Sequence, residues 1–254
     1  MTAQPRMLFK NLIDTVQALP TTPTAVVHPC DEASLAGVAA AARAGIIMPI
    51  LVGPRDKITA TAEAAGIDIS GYEIVEADYS HAAATLAVTL VREGRAAMLM
   101  KGSLSTDELL AAVVKRDTGL RTERRLSHCF IMDVPRHSNV LIVSDAAINI
   151  FPTLEDKVDI TQNAIDLALA LDIPLPKVAI LSATEKVNPK LQTSIEAAAL
   201  CKMADRGQIR GGLLDGPLAL DNAISPEAAR IKGIEGPVAG HADILIVPDL
   251  EAGN

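Results

Sequence analysis

Short, wholly apolar runs alternate along the chain with longer Ala-rich stretches whose apolar positions recur every three or four residues. Runs of the first kind predict strands buried on both faces, and stretches of the second kind predict amphipathic helices. The first half reads as strand 25–28, helix 31–44, strand 49–52, helix 56–65, strand 73–75, helix 80–93 and strand 97–100. A helix then runs from Ser105 or Thr106 to about Lys115. Asp31 and Ser80 are suited to cap first turns, and Gly45, Gly66 and Gly94 to close last turns.

The middle changes character. Residues 116–125 are polar and basic, and two strands, 129–133 and 140–144, follow in quick succession around Pro135. Such close spacing predicts antiparallel pairing. The alternation then resumes with helix 154–171, strand 177–181, helix 189–203, strand 211–214, a helix from Pro226 and strand 244–247. The βαβα order predicts an α/β fold of two lobes with mainly parallel sheets covered by helices. The change of character places the boundary between lobes 1–115 and 116–254, which are free to interleave. A helix should also follow 244–247, so further chain is expected beyond Asn254.

At 254 residues the chain is near the upper size of a single core. With no Trp, 2 Tyr and 3 Phe, that core must be built from Ala, Leu, Ile and Val. The net charge of −8 argues against a nucleic-acid surface, although a local basic pocket for one anion is compatible with it. Cys30, Cys129 and Cys201 form no CxxC, which suggests neither zinc nor a disulfide framework, and buried thiols are expected. Residues 1–10 hold no apolar signal core and no run spans a membrane, so a cytoplasmic protein is expected.

Four strand exits carry groups suited to chemistry. Lys101, Gly102, Ser103, Ser105 and Thr106 lie between a strand and a helix start. They form either an anion cradle or a capped helix with an incidental lysine. Lys115, Arg116, Arg121, Arg124 and Arg125 either steer a phosphate-bearing ligand or make an ordinary solvated loop. Asp145 and Asn149 at the next exit either orient a ligand or cap a helix, and Asp215 with Asp221 offers the same two readings. No HExxH, GxSxG, Walker or GxGxxG motif occurs, and the five histidines are scattered, so no metal site is expected.

Several longer motifs stand out: Leu99-Met-Lys-Gly-Ser-Leu-Ser-Thr-Asp-Glu-Leu-Leu110, Leu120-Arg-Thr-Glu-Arg-Arg-Leu-Ser-His128, Val178-Ala-Ile-Leu-Ser-Ala-Thr-Glu185, Asp215-Gly-Pro-Leu-Ala-Leu-Asp221 and Val247-Pro-Asp-Leu-Glu-Ala-Gly-Asn254. Together they resemble the phosphate acetyltransferase/phosphate butyryltransferase family. The stretch Met203-Ala-Asp-Arg-Gly-Gln-Ile209 adds to them, and the likeness covers about residues 20–254, nearest to butyryl-type members and the transferase part of bifunctional hydratase–transferases. The resemblance implies an isocitrate dehydrogenase-like fold of two lobes with a cleft between them, in a homodimer. It implies interconversion of acyl-CoA plus phosphate with acyl phosphate plus coenzyme A, which is a substrate, with no metal or cofactor. Lys101, Gly102, Ser103 and Thr106 match the family's phosphate-side motif, and Asp249, Gly253 and Asn254 its final cleft motif; Asn149 joins them as a binding candidate.

The family's catalytic Ser-Arg pair and the acid after it belong to the segment expected beyond Asn254. No residue of the present chain inherits those roles, and Asp145, Asp215 and Asp221 are the remaining candidates for the base. The rival reading is an inactive fragment, or a subunit of the same fold that holds coenzyme A or acyl phosphate without turnover. A decarboxylating dehydrogenase of related fold is disfavoured by the lack of acids clustered at metal spacing.

Overall fold

Each apolar strand divides its side chains between two layers, and that division builds the molecule. The computed structural model describes residues 7–134 and 140–254. After α1 (Met7–Gln17), the first half runs β1 (Thr22–Val27), α2 (Glu32–Arg43), β2 (Ile47–Gly53), α3 (Arg55–Ala65), β3 (Glu73–Glu76), α4 (Ser80–Arg92), β4 (Met98–Lys101) and α5 (Thr106–Val113). The second half runs β5 (Phe130–Met132), β6 (Leu141–Ser144), α6 (Leu154–Ala170), β7 (Lys177–Leu181), α7 (Gln192–Asp205), β8 (Leu213–Leu218), α8 (Leu220–Ile224), α9 (Pro226–Ile231), β9 (Ile244–Ile246) and α10 (Leu250–Gly253). Two compact units result, one of Lys10–Glu123 and one containing Arg124–Asn254.

In the first unit four parallel strands lie in the order β3-β2-β1-β4. Ala25, Val27, Ile50 and Val52 pack against α4 and α5, through Ala84, Val88 and Ala112. Val26 and Leu51 face the other way, onto Leu35 and Val38 of α2 and Ile58 of α3. The exits of β1 and β4 therefore turn to opposite faces although the strands are neighbours. In open α/β sheets such a reversal opens a crevice at the carboxyl ends, where ligands bind. Residues beyond α5 stay with this unit: the Leu120 N–H donates to the Val113 carbonyl, and Arg92 donates to that of Asp117.

The second unit has five strands in the order β5-β6-β9-β7-β8, with the β5/β6 pair antiparallel as the close spacing of the two runs predicts. The remaining pairs are parallel. Ile142, Val178, Ile244 and Ile246 pack under α6 and α7, whereas Leu141, Ala179, Leu218 and Leu245 pack under α8 and α9. A buried ion pair between Lys157 and Glu196, 2.6 Å apart, joins α6 to α7.

The structure differs from the expectation at several points. Strand β8 runs to Leu218 rather than stopping at 214, carrying Asp215, Gly216 and Pro217 within it. Proline removes a ladder donor and reads as a strand terminator, but β8 lies at the sheet edge, where that donor is dispensable. Helix α7 begins at Gln192 rather than at 189, because residues 188–191 form a turn whose Asn188 carbonyl accepts from Ser194 Oγ. The three cysteines are free and half-buried rather than buried. Burial, then Asp215 and Asp205, pushes the Cys201 thiol up to about 12. The turn around Pro135, His137 and the expectation for residues 1–6 lie outside the described residues. Among those described, no helix is long and apolar enough to cross a membrane.

Candidate active site

The crevice of the first unit is framed by the exits of β1 and β4. His28, at the end of β1, adopts φ 53, a left-handed conformation that turns its carbonyl toward the other exit. That carbonyl accepts from the Ser103 N–H at 2.9 Å and from Ser103 Oγ at 2.8 Å. Ser103 Oγ in turn accepts from the Cys30 N–H at 3.1 Å and lies 3.2 Å from His28 Nδ1. The Ser103 hydroxyl is thus a staple between two loops. Gly102 is required there, since a Cβ would lie 2.5 Å from the Val27 carbonyl oxygen and 2.7 Å from that of His28.

Helix α5 has a complete capping box, in which Ser105 Oγ accepts from the Glu108 N–H and Glu108 accepts from the Ser105 N–H. Ser80 Oγ donates to the same carboxylate at 2.6 Å, and His81 Nδ1 lies 2.8 Å from it. These contacts, the Ser80 hydroxyl first, hold Glu108 at about 2. The helix start therefore already faces a carboxylate, and the hydroxyls of Ser103 and Ser105 are committed within the protein. What remains for an anion is Lys101 and Thr106, both exposed. Asp31, capping α2, is held below its ordinary value by Ser34, with Lys101 and His28 adding smaller effects. Composition alone does not reveal His28 and Asp31 as neighbours of Lys101; the pairing of β1 beside β4 brings them together.

Glu108 carries a prediction. Its folded value lies below the ordinary 4.5, so its contribution is present above pH 4.5 and fades as pH falls toward about 2. In urea melts from pH 7 to 2, the stability advantage of the wild type over Glu108→Gln should shrink across that window. An advantage constant with pH would contradict the assignment.

In the second unit, the neighbouring exits of β6 and β9 bring Asn149, Asp249, Gly253 and Asn254 together. Asp145 is only 1% exposed. Its Oδ1 accepts from the N–H groups of Ala147 and Ile148 at 2.9 and 3.0 Å, and its Oδ2 from both the backbone N–H and the side-chain amide of Asn149. With two donors on each oxygen, Asp145 is a buried anchor and presents no face to a substrate proton. Asp249 caps α10 by accepting from the Ala252 N–H, and Asn254 Nδ2 donates to the Ala146 carbonyl at 3.0 Å. Gly253 lets α10 close on this loop, since a Cβ would lie 2.7 Å from Val247 Cγ2 and 2.9 Å from Ala146 Cβ.

Arg125 stands over the same exit. Its Nε donates to Asn149 Oδ1, and its Nη1 lies 3.0 Å from Asp156. Burial works to raise Asp156, but Thr153 and Arg125 outweigh it and keep the carboxyl below its ordinary value. Two partners fix the guanidinium plane while the side chain stays 51% exposed, the arrangement of a pre-oriented anion ligand. Arg124 is paired with Asp166 on α6, so the basic loop is divided between structure and accessible charge. Asp215 and Asp221 are not part of this group, because β9 and β7 separate β6 from β8. Burial raises the Asp215 carboxyl against the pull of the Gly216 N–H, and Asp221 is exposed.

Comparison with known proteins gives a consistent picture. Residues 77–254 match the model of the phosphate acetyl/butaryl transferase family. A phosphate acetyltransferase of Rhizobium meliloti is 60% identical over 252 residues, covering 99% of this chain and 79% of the relative. A phosphate butyryltransferase of Clostridium acetobutylicum is 42% identical, covering 97% of this chain and 82% of the relative. The crystal structure of a branched-chain phosphotransacylase from Enterococcus faecalis V583 superposes with a TM-score of 0.79 at 30% identity, covering 92% of this chain and 82% of that one.

Proposed function

The chain belongs to the phosphate acetyl/butyryl transferase family, and on that premise we propose that it interconverts a short-chain acyl-CoA plus phosphate with an acyl phosphate plus coenzyme A. The observation that carries this reading is the 60% identity to a phosphate acetyltransferase across 99% of the chain. That similarity favours a transferase over a subunit that only holds its ligands.

In the forward direction a phosphate oxygen attacks the thioester carbonyl, the C–S bond breaks, and coenzyme A leaves as a thiolate. Negative charge builds on the carbonyl oxygen in between, and preorganised cations lower that barrier. Arg125, held by Asn149 and Asp156, is assigned to charge stabilisation, and Lys101 with Thr106 to phosphate binding. Asn149, Asp249, Gly253 and Asn254 shape the β6/β9 exit. For the thiol proton in reverse, the contacts of Asp145 are saturated, and two strands separate Asp215 and Asp221 from the exit that Arg125 serves, so none of the three is assigned as the base.

The same reading makes the protein a cytoplasmic homodimer that needs neither metal nor cofactor. Its support is the family resemblance. The test is thioester formation from acetyl or butyryl phosphate and coenzyme A, before and after exhaustive chelation. Activity that survives chelation supports the reading; loss restored by a divalent ion would overturn its metal-free form. Lys101→Ala is expected to raise the KM for phosphate about tenfold, the effect of one charge-assisted hydrogen bond, without lowering Tm. An unchanged phosphate KM would return this segment to a capped helix with an incidental lysine.

A further inference from the structure

The second unit has another carboxyl-end crevice, between β7 and β8. Helix α7 follows β7 and packs through Ala197 and Leu200 on one face of the sheet. Helix α8 follows β8 and packs through Ala223 on the other. As in the first unit, neighbouring parallel strands send their chains to opposite faces, the arrangement at whose carboxyl ends open α/β sheets bind ligands. Glu185, on the β7 exit, reaches across to the β8 exit. Its Oε1 accepts from Asn222 Nδ2 of α8 at 2.6 Å and lies 3.4 Å from Lys232 Nζ beyond α9.

Asn222 is fully buried, at 0% exposure, and among the described residues no donor reaches its Oδ1. An amide kept only to tie the fold together would be satisfied at both ends. Here the orientation is dictated by Glu185, because an amide oxygen turned toward a carboxylate would be repelled. The fold leaves one buried acceptor unpaired, which is costly, and in return fixes the position of a carboxylate that stays 24% exposed. The backbone N–H of Glu185 itself, opposed by desolvation and followed by Lys232 and Asn222, holds this carboxyl below its ordinary value. At neutral pH it is an acceptor.

We propose that Glu185 is a further substrate-binding residue, accepting a hydrogen bond from an amide or hydroxyl of the pantetheine arm of coenzyme A, and that Asn222 positions it. The choice of ligand follows from charge and rests on the transferase reading. Phosphate, acyl phosphate and the nucleotide end of coenzyme A are anions that an ionised carboxylate repels. The pantetheine arm is uncharged, and its polar groups include amide and hydroxyl donors.

The test is steady-state kinetics of acyl phosphate with either coenzyme A or pantetheine as the thiol, for wild type and Glu185→Ala. The KM for coenzyme A should rise about ten- to a hundredfold, as for loss of a hydrogen bond to a charged group. Pantetheine should show the same rise, the KM for acyl phosphate should hold, and kcat should fall less than KM rises. Asn222→Ala should show the same split at smaller size, whereas a merely structural role would lower the amount of active enzyme and leave both KM values alone. An unchanged thiol KM in Glu185→Ala, or a rise with coenzyme A that pantetheine does not share, would overturn the proposal. If Glu185→Ala fails to fold, the exposed variant Lys232→Met decides: a thiol KM raised a few-fold supports the proposal, and an unchanged one overturns it. A wild type that transfers no acyl group refutes the transferase reading instead. Calorimetric binding of coenzyme A and of pantetheine to wild type and variant then decides Glu185 by the same comparison.

Discussion

Asp145→Ala should destabilise the protein by about 3–5 kcal/mol, since each buried donor left without a partner costs about 1–3 kcal/mol and some will find other acceptors. The carboxylate is buried and takes four N–H donors from residues 147–149, so its removal strands several backbone groups at once. In a chain of this length the melting temperature should fall by roughly 10 °C. Asp145→Asn should be intermediate, since one acceptor oxygen remains while an NH2 group faces other donors. Thermal melts of the two variants give the answer. If instead Tm were unchanged and only turnover vanished, Asp145 would be a catalytic base and its reading as an anchor would be wrong.

Arg125→Ala should reduce kcat/KM about 100-fold or more, the usual effect of removing one preorganised group that stabilises a developing charge. Its stability should change far less than that of Asp145→Ala, because the arginine side chain is half exposed. Arg125→Lys should recover only part of the loss. Lysine keeps the charge, but it cannot hold the planar fork that engages Asn149 and Asp156 together. An Arg125→Ala enzyme of ordinary activity would remove this residue from the site.

The alternation of apolar runs with helical stretches made the layers legible, because a strand buried on both faces has to be apolar throughout. Where pairing position overrides local signal, reading failed. Pro217 marks a stop in isolation but is tolerated in β8, which lies at an edge, and helix α8 is too short to show a period. The polar strand exits were legible as places, not as roles. The hydroxyls after β4 read equally as an anion cradle or a helix cap; Ser105 is the cap, within reach of local signal, whereas Ser103 staples the β1 exit, a contact set by an element distant in sequence. Asp145 likewise reads as a possible base until its four donors are seen. Arg125 was visible only as one of five basic residues, since its distinction lies in Asn149 and Asp156 reaching it from the β6 exit and α6. His28 gave no signal, because a left-handed residue after a strand leaves no mark in composition.

The central claim, acyl transfer between coenzyme A and phosphate, is tested most directly by following both products at once. Purified protein is given acetyl- or butyryl-CoA with and without inorganic phosphate, free thiol is measured, and acyl phosphate is trapped as the hydroxamate. The account predicts thiol and acyl phosphate in equal amounts, and neither without phosphate. Thiol released without phosphate, or no release of thiol in its presence, would contradict it.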